Sequence, residues 1–453
     1  MAMKHLSEMS FEELLDPKGY DCPACGRHHT TGLKAFEAGR GVVKALPEML
    51  GKLGIRRPFV VCDKNTYKAA GEKVEALLKG AGIPFKLYVL PMEHVEPDEY
   101  SVGSIVMAYD PASDGIVAVG SGVINDCCKV ASYAIGVPQV AVGTAPSMDG
   151  YASDSSSMHV DSVKSTVYNA CPKGIICDSE IMSQAPMRML WAGLGDMLAK
   201  YVSVCEWRIA NLVIGEYYCE EIAGLMRASL KKIMDNACTL SSRDPETIQA
   251  VSEGLVMSGV AMSFAQVSRP ASGLEHYFSH MWEMMGMERG EKADLHGIQV
   301  GVGTRVTLGL YDWIRTLTPD RKCAMDFMAG FDPVAWEAMV KRIFGKTAPQ
   351  ILSVEAKAKK NDPEGHKKRF DVIEARWGEI LKIIEDELPE TEKIDELMRD
   401  LGMPRVPSDL GITEQDAKDA FTGSREIRDK YLSGSVLWDM GLTEEARERI
   451  HAD

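Results

Sequence analysis

Three of the ten histidines fall close together in the chain: His276, His280 and His296. His276 and His280 stand four residues apart in SRPASGLEHYFSHMWEM (268–284), so on a helix their imidazoles leave from one face. Such a pair is a metal site, or one ligand with a proton relay beside it. His296, in ADLHGIQVGVGT (293–304), sits at an expected helix start, placed to face the pair from the next helix. Asp196 lies inside the apolar run WAGLGDMLAKYV (191–202), where a buried carboxylate is costly unless paired or bound to a metal. Two imidazoles and one carboxylate form a three-ligand set with an open position, as at a catalytic Zn²⁺ or related divalent ion. The plainer alternatives are core or capping histidines and a surface pair between Asp196 and Lys200, one turn later. Three clustered histidines, and the apolar neighbours Leu194, Met197 and Leu198, favour the metal.

Two further segments have the chemistry of a phosphate and substrate site. In AVGSGVINDCCK (118–129) an apolar run ends in Gly120-Ser121-Gly122 and a helix follows. Small residues let backbone approach a pyrophosphate, and the helix start offers unpaired N–H groups. Asn125 stands where the Rossmann pattern has its third glycine, so the segment equally reads as a tight strand-to-helix turn. In GTAPSMDGYASDSS (143–156), Thr144, Ser147, Asp149 and Tyr151 supply donors and acceptors after a strand, at the edge where open α/β sheets bind ligands. The bulky Met148 and Tyr151 argue against a simple solvated loop. A third segment, DCPACGRHHTT (21–31), carries Cys22, Cys25, His28 and His29, half of a zinc knuckle. No second Cys or His pair follows nearby, so a turn with free thiols is the leading expectation and a small metal clip the alternative.

These residues need elements to hold them. Apolar runs at Pro58–Asp63, Phe85–Leu90, Gly115–Gly120, Pro138–Gly143 and Lys173–Asp178 alternate with helical spacing at Thr66–Lys79 and Val123–Tyr133. That pattern predicts a parallel sheet covered on both faces. After about Ser183, helical spacing dominates: Pro186–Val202, Ile209–Asn236, Ile248–Gln266, Leu274–Met285 and Gly297–Leu317, with no strand expected beyond Asp178. The fold class expected is α/β, a Rossmann-like parallel-sheet domain followed by an all-helical domain. The division expected is an N-terminal extension over 1–35, a nucleotide-binding domain over 36–182 and a helical metal-binding domain over 183–453.

Bulk properties set outer bounds. At 453 residues the chain is too long for one core. A net charge of −15 argues against nucleic acid as a partner, while one small phosphate in a local basic pocket stays allowed. Eleven scattered cysteines suit reduced thiols and a cytoplasmic location. Neither a secretory signal nor a membrane span is expected, because the longest uncharged stretch, Val130–Met148, is broken by Gly136, Pro138, Gly143 and Pro146. Lys357–Lys368 reads as a solvated charged stretch.

The runs APSMDGYAS (145–153), GLGDMLAKY (193–201) and SRPASGLEHYFSHMWEM resemble the glycerol-1-phosphate dehydrogenase family, its bacterial AraM-like branch above all. That family sits in the iron-containing alcohol dehydrogenase and dehydroquinate synthase superfamily, and the resemblance runs from about Gly39 to about Leu442. It implies an N-terminal nucleotide-binding domain, a C-terminal helical domain and a reversible, metal-dependent reduction of dihydroxyacetone phosphate to sn-glycerol 1-phosphate by NAD(P)H. It implies Asp196, His276 and His296 as metal ligands, Zn²⁺ first with Ni²⁺ and Fe²⁺ as alternatives, and His280 as a proton relay. Gly120, Ser121 and Gly122 would hold the pyrophosphate, with Asp126 structural. Thr144, Ser147 and Asp149 would line the nicotinamide and substrate region, and Asp63 would meet the adenosine ribose, its charge disfavouring NADP. Arg269 and Lys200, and less so Lys164, are candidate partners of the substrate phosphate.

Two positions depart from the family pattern: Ser121 stands for the middle glycine of the turn, and Ile298 for a glutamate that often follows the third ligand. Competing readings are an unphosphorylated polyol dehydrogenase such as glycerol dehydrogenase, a dehydroquinate-synthase-like lyase, and a degenerate member kept for binding. The lyase usually has Glu at the place of Asp196, and intact Asp196, His276 and His296 speak against degeneration. The sequence leaves oligomeric state open, a homo-oligomer included.

Overall fold

The computed structural model describes residues 4–160 and 163–453; the side chains of Val163 and Lys164 lie outside the described set. The chain divides into two compact units, one of residues 1–197 and 219–270, the other of 198–218 and 271–453.

The first unit is built on a six-stranded sheet, every pairing parallel. Its strands are β3 (Ala35–Gly39), β4 (Pro58–Cys62), β5 (Lys86–Val89), β6 (Gly115–Gly120), β7 (Gln139–Gly143) and β10 (Gly174–Asp178). Their order across the sheet is β3-β10-β7-β6-β4-β5. Alternate residues serve opposite faces: Val60 and Cys62 join one apolar cluster, Phe59 and Val61 the other. Helices α1 (Leu46–Lys52) and α2 (Glu72–Gly80) cover the first face, and α3 (Glu99–Ala108) and α4 (Gly122–Ile135) the second. Apolar groups are thus needed on both sides of each strand, which is why these strands read as continuous hydrophobic runs.

Five strands lie outside the expected list. β3 carries Lys34 before it and Glu37 within it, and pairs only with β10, so its edge position frees it from the apolar rule. β8 (Ser155–Val160) and β9 (Val163–Tyr168) form a separate antiparallel hairpin, rich in serine and therefore without a strand signal. A short ribbon, β1 (Tyr20–Asp21) with β2 (His28–His29), precedes the sheet.

As expected, no strand follows Asp178 among the described residues. Helix α5 (Met187–Ile214) is longer than its spacing suggested. The segment expected as one helix over Ile209–Asn236 is broken at Gly215, whose φ of +69° ends the first helix before α6 (Glu220–Met234) begins. Helix α7 (Pro245–Ala265) is long and apolar enough to cross a bilayer, but it is a core helix of the first unit, packed on α6, β3 and β10. In the second unit, α8 (Leu274–Arg289) packs on α9 (His296–Ile314) and on the helix Glu414–Ser424.

Candidate active site

In the first unit the chain leaves β4 toward β5 on one side and then returns to place β6 on the other. The order therefore reverses between β4 and β6, and the carboxyl ends of neighbouring strands there open the crevice in which α/β sheets take ligands. Asp63 follows β4, and Gly120-Ser121-Gly122 follows β6. Thr144 follows β7 and donates its N–H to Gly120 O at 3.1 Å, so all three segments stand on one edge.

Packing explains the glycines of the turn. A Cβ on Gly120 would lie 2.5 Å from Ile124 Cβ, and one on Gly122 3.2 Å from Met148 Cγ. Ser121 adopts φ −104°, a conformation open to any residue, which accounts for a serine at the middle position. Asn125, in the third-glycine place, is buried and accepts from Gln139 Nε2 at 2.9 Å, tying α4 to β7. Asp63 acts locally as a cap: its Oδ1 accepts from the N–H groups of Asn65 and Thr66 at 2.8 and 2.7 Å.

The loop after β7 is held from below by a residue given no role from sequence. Lys129 is fully buried on α4, and its ammonium donates to Gly150 O and Ser153 Oγ, both at 3.0 Å, and to Ser155 O. Asp126 neutralises it at 2.9 Å, which gives that aspartate the structural role expected. Tyr151 is buried and donates to Ala145 O at 2.7 Å, closing the loop on itself. The signal for Lys129 was an acid–base pair three residues apart on an otherwise apolar helix.

Asp196 is fully buried on α5. Its Oδ2 accepts the backbone N–H of Asp149 at 2.9 Å, while Asp149 Oδ2 accepts from Ser258 Oγ at 2.8 Å. The loop reaches the helix because position 193 is glycine: a Cβ there would sit 1.7 Å from Pro146 O. Arg269, after α7, is also buried. The side chain of Lys164 lies outside the described residues.

The second unit gathers the imidazoles. The rings of His276 and His296 have centroids 5.3 Å apart, those of His280 and His296 5.8 Å, and those of His276 and His280 6.4 Å. His296 opens α9, as the sequence suggested, and shares a 3.1 Å hydrogen bond between its Nδ1 and Ser279 Oγ. His276 donates from Nδ1 to Glu275 Oε1 at 2.8 Å, which fixes its tautomer with Nε2 unprotonated. Glu283 faces both His280 and His296 at 3.6 Å. Lys200 is fully buried and donates to Ala271 O at 3.1 Å. With Asp196 and Lys200 both buried, the reading of them as a surface pair fails.

Behind the imidazoles lie two buried carboxylates with no sequence signal beyond their charge. Glu275 takes the N–H of Gly273 at 2.7 Å, and Glu206 takes that of Leu274 at 2.8 Å and that of Ser433 at 2.9 Å. Burial, with the charge of Glu275, pushes the Glu206 carboxyl up to about 7.

A profile of the iron-containing alcohol dehydrogenase family matches residues 37–186. A glycerol-1-phosphate dehydrogenase (NAD(P)+) of Halalkalibacterium halodurans is 30% identical over 413 residues, 90% of this chain and 93% of that protein. Enzymes of the same name from Bacillus licheniformis and Pyrococcus horikoshii are 26% and 34% identical, over 92% and 60% of this chain and 92% and 77% of their own. Among solved structures, glycerol dehydrogenase from Schizosaccharomyces pombe superposes with a TM-score of 0.63 at 15% identity, covering 92% of this chain and 89% of that one. An iron-containing alcohol dehydrogenase from Corynebacterium glutamicum gives 0.58 at 15%, covering 94% and 97%. At such identities these two show a common fold.

Proposed function

The chain belongs to the glycerol-1-phosphate dehydrogenase family, and from that premise we propose how its own residues divide the reduction of dihydroxyacetone phosphate to sn-glycerol 1-phosphate by NAD(P)H. The relationship to the Halalkalibacterium enzyme over nine-tenths of the chain carries the reading.

Residues 36–182 are assigned to the nucleotide and 183–453 to the metal. Asp196, His276 and His296 would hold one divalent ion. The donor set fits: a buried carboxylate, an imidazole whose Nδ1 is committed to Glu275, and a second imidazole held by Ser279 suit a borderline cation, Zn²⁺ first, with Ni²⁺ and Fe²⁺ accepted by the same ligands. When bound, such an ion polarises a carbonyl and stabilises the alkoxide charge that hydride addition creates.

The chain's own groups do the rest. The first N–H groups of α4 receive the pyrophosphate at Gly120-Ser121-Gly122. Asp63, on the neighbouring strand end, meets the adenosine ribose and favours NAD over NADP. Thr144, Ser147 and Asp149 shape the nicotinamide side. His280, beside His296 and Glu283, passes the proton to the new hydroxyl. Arg269 and Lys200, both buried cations, bind the substrate phosphate.

The test is NADH oxidation with dihydroxyacetone phosphate and with dihydroxyacetone, each with and without a chelator. Chelator-sensitive turnover of the phosphorylated ketone, yielding the sn-1 isomer, is expected. Equal turnover of both ketones would move the assignment to an unphosphorylated polyol dehydrogenase.

A further inference from the structure

We propose a second, structural metal site in the first unit, a Zn²⁺ held by Cys22, Cys25, His29 and Cys219. The sequence offered only half of this set, and the fold supplies the rest. Cys219 lies far along the chain, at the residue that starts α6, yet the ligand atoms of all four residues lie within 4.8 Å of one another. The inward histidine is His29; His28 is exposed and bonded to Asp21 at 2.7 Å.

The spacings are those a tetrahedral ion imposes. Zn–S bonds of about 2.3 Å and a Zn–N bond of about 2.0–2.1 Å put two sulfurs about 3.8 Å apart and a sulfur about 3.6 Å from the nitrogen. Cys22 Sγ lies 3.6 Å from Cys219 Sγ, and His29 Nε2 lies 3.4 Å from Cys25 Sγ and 3.8 Å from Cys219 Sγ. A disulfide needs sulfurs about 2.05 Å apart, so the Cys22–Cys219 spacing is that of two ligands.

The surroundings also suit a cation. His29 Nδ1 donates to Phe264 O at 2.9 Å, which leaves Nε2, the atom aimed at the sulfurs, with its lone pair. Burial lowers the His29 pKa and keeps the ring neutral, as a ligand must be. The Cys22-Pro23-Ala24-Cys25-Gly26 turn closes with Gly26 N–H on Cys22 O at 2.9 Å, and Gly26 has φ +69°. Burial raises the Cys22 and Cys219 thiols, Cys219 to about 12, while the N–H groups of Cys25 and Ala24 at Cys22, and of Ile222 at Cys219, oppose it by favouring thiolate. Binding would release the three thiol protons to solvent.

Such an ion would fasten the two-residue strands β1 and β2, too short to persist alone, to α6 through Cys219 and to the end of α7 beside Phe264. The site shares no residue with those assigned to catalysis and holds without that assignment.

The test is Co²⁺ substitution in the reduced, full-length protein. The set assigned to catalysis contains no sulfur, so a thiolate-to-cobalt charge-transfer band with intense tetrahedral d–d bands, at one equivalent, reports this site alone. The band is expected in the wild type and in Asp196→Ala, and is expected to be lost or shifted in Cys25→Ser and Cys219→Ser. A wild-type spectrum without the band overturns the proposal, whatever the variants do. So does a Cys22–Cys219 disulfide found by mass spectrometry in protein purified without reductant, or a band unchanged in Cys219→Ser.

Discussion

The backbone N–H of Asp149 donates to Asp196 Oδ2 at 2.9 Å, so the loop after β7 and the carboxylate on α5 are set by one bond. That bond orients Asp196. Asp196→Asn keeps the shape and removes the charge. It is expected to lower metal stoichiometry and turnover by at least about 10–100-fold, the usual cost of disturbing a metal's ligands or their supports. Metal analysis of purified protein beside steady-state rates checks this; full occupancy in the variant would remove Asp196 from the ligand set.

Gly193→Ala should be among the most damaging single-methyl additions, because its Cβ would overlap Pro146 O. Neither the backbone carbonyl nor the helix yields easily. The expected loss is about 1–3 kcal/mol or more, with weaker NADH binding as the loop is displaced. Gly224→Ala, with nothing within 4 Å, is the control and should hold or raise the melting temperature. Equal melting temperatures for both variants would show that the loop does not rest on the helix.

Lys129→Met removes the buried ammonium that three oxygens of the loop and Asp126 surround. Breaking a buried pair from one side costs about 3–5 kcal/mol, so a large fall in the urea midpoint is expected. The double variant Lys129→Met/Asp126→Asn should recover part of it. No recovery would mean that the lysine acts through the loop carbonyls alone.

Glu206 makes stability fall with rising pH. Its folded carboxyl titrates near 7 rather than 4.5, so the folded state binds the extra proton. The contribution is complete below about pH 4.5 and is lost as pH climbs through about 7. Urea midpoints at about pH 5 and about pH 8 should differ by on the order of 2–3 kcal/mol more in the wild type than in Glu206→Gln. A variant with the wild-type slope would clear Glu206 of the effect.

Arg269→Ala tests the phosphate assignment by selectivity. It should raise KM for dihydroxyacetone phosphate by at least tenfold, as the loss of a charge-assisted hydrogen bond of about 1.5–3 kcal/mol requires. Turnover of dihydroxyacetone should change little. An unchanged KM for the phosphorylated ketone would exclude Arg269.

The sequence disclosed whatever depends on local periodicity. The apolar strands β4, β6, β7 and β10 were legible because each buries both faces, β5 because Leu87, Tyr88 and Val89 still pack on the two apolar clusters from its edge, and His276, His280 and His296 because helical spacing puts two on one face. Edge strand β3 and the serine-rich hairpin β8–β9 were hidden, since neither has an apolar demand on both sides. Long-range partners were also beyond reach. Nothing local links Cys219 to Cys22, or Glu206 to Leu274 and Ser433, because those meetings depend on how helices pack. Lys129 likewise meets Gly150, Ser153 and Ser155 only once the loop folds over it.

The pairing of β3 with β10 sets Ala35 beside Gly174, so the first sheet strand to be synthesised is the last to find its place. Until the ribosome has delivered residues up to Asp178, β7 keeps a bare edge of unpaired amides and carbonyls. Nascent chains stalled in that interval would be open to edge-to-edge aggregation, and chaperone demand should concentrate there rather than during synthesis of the helices that follow.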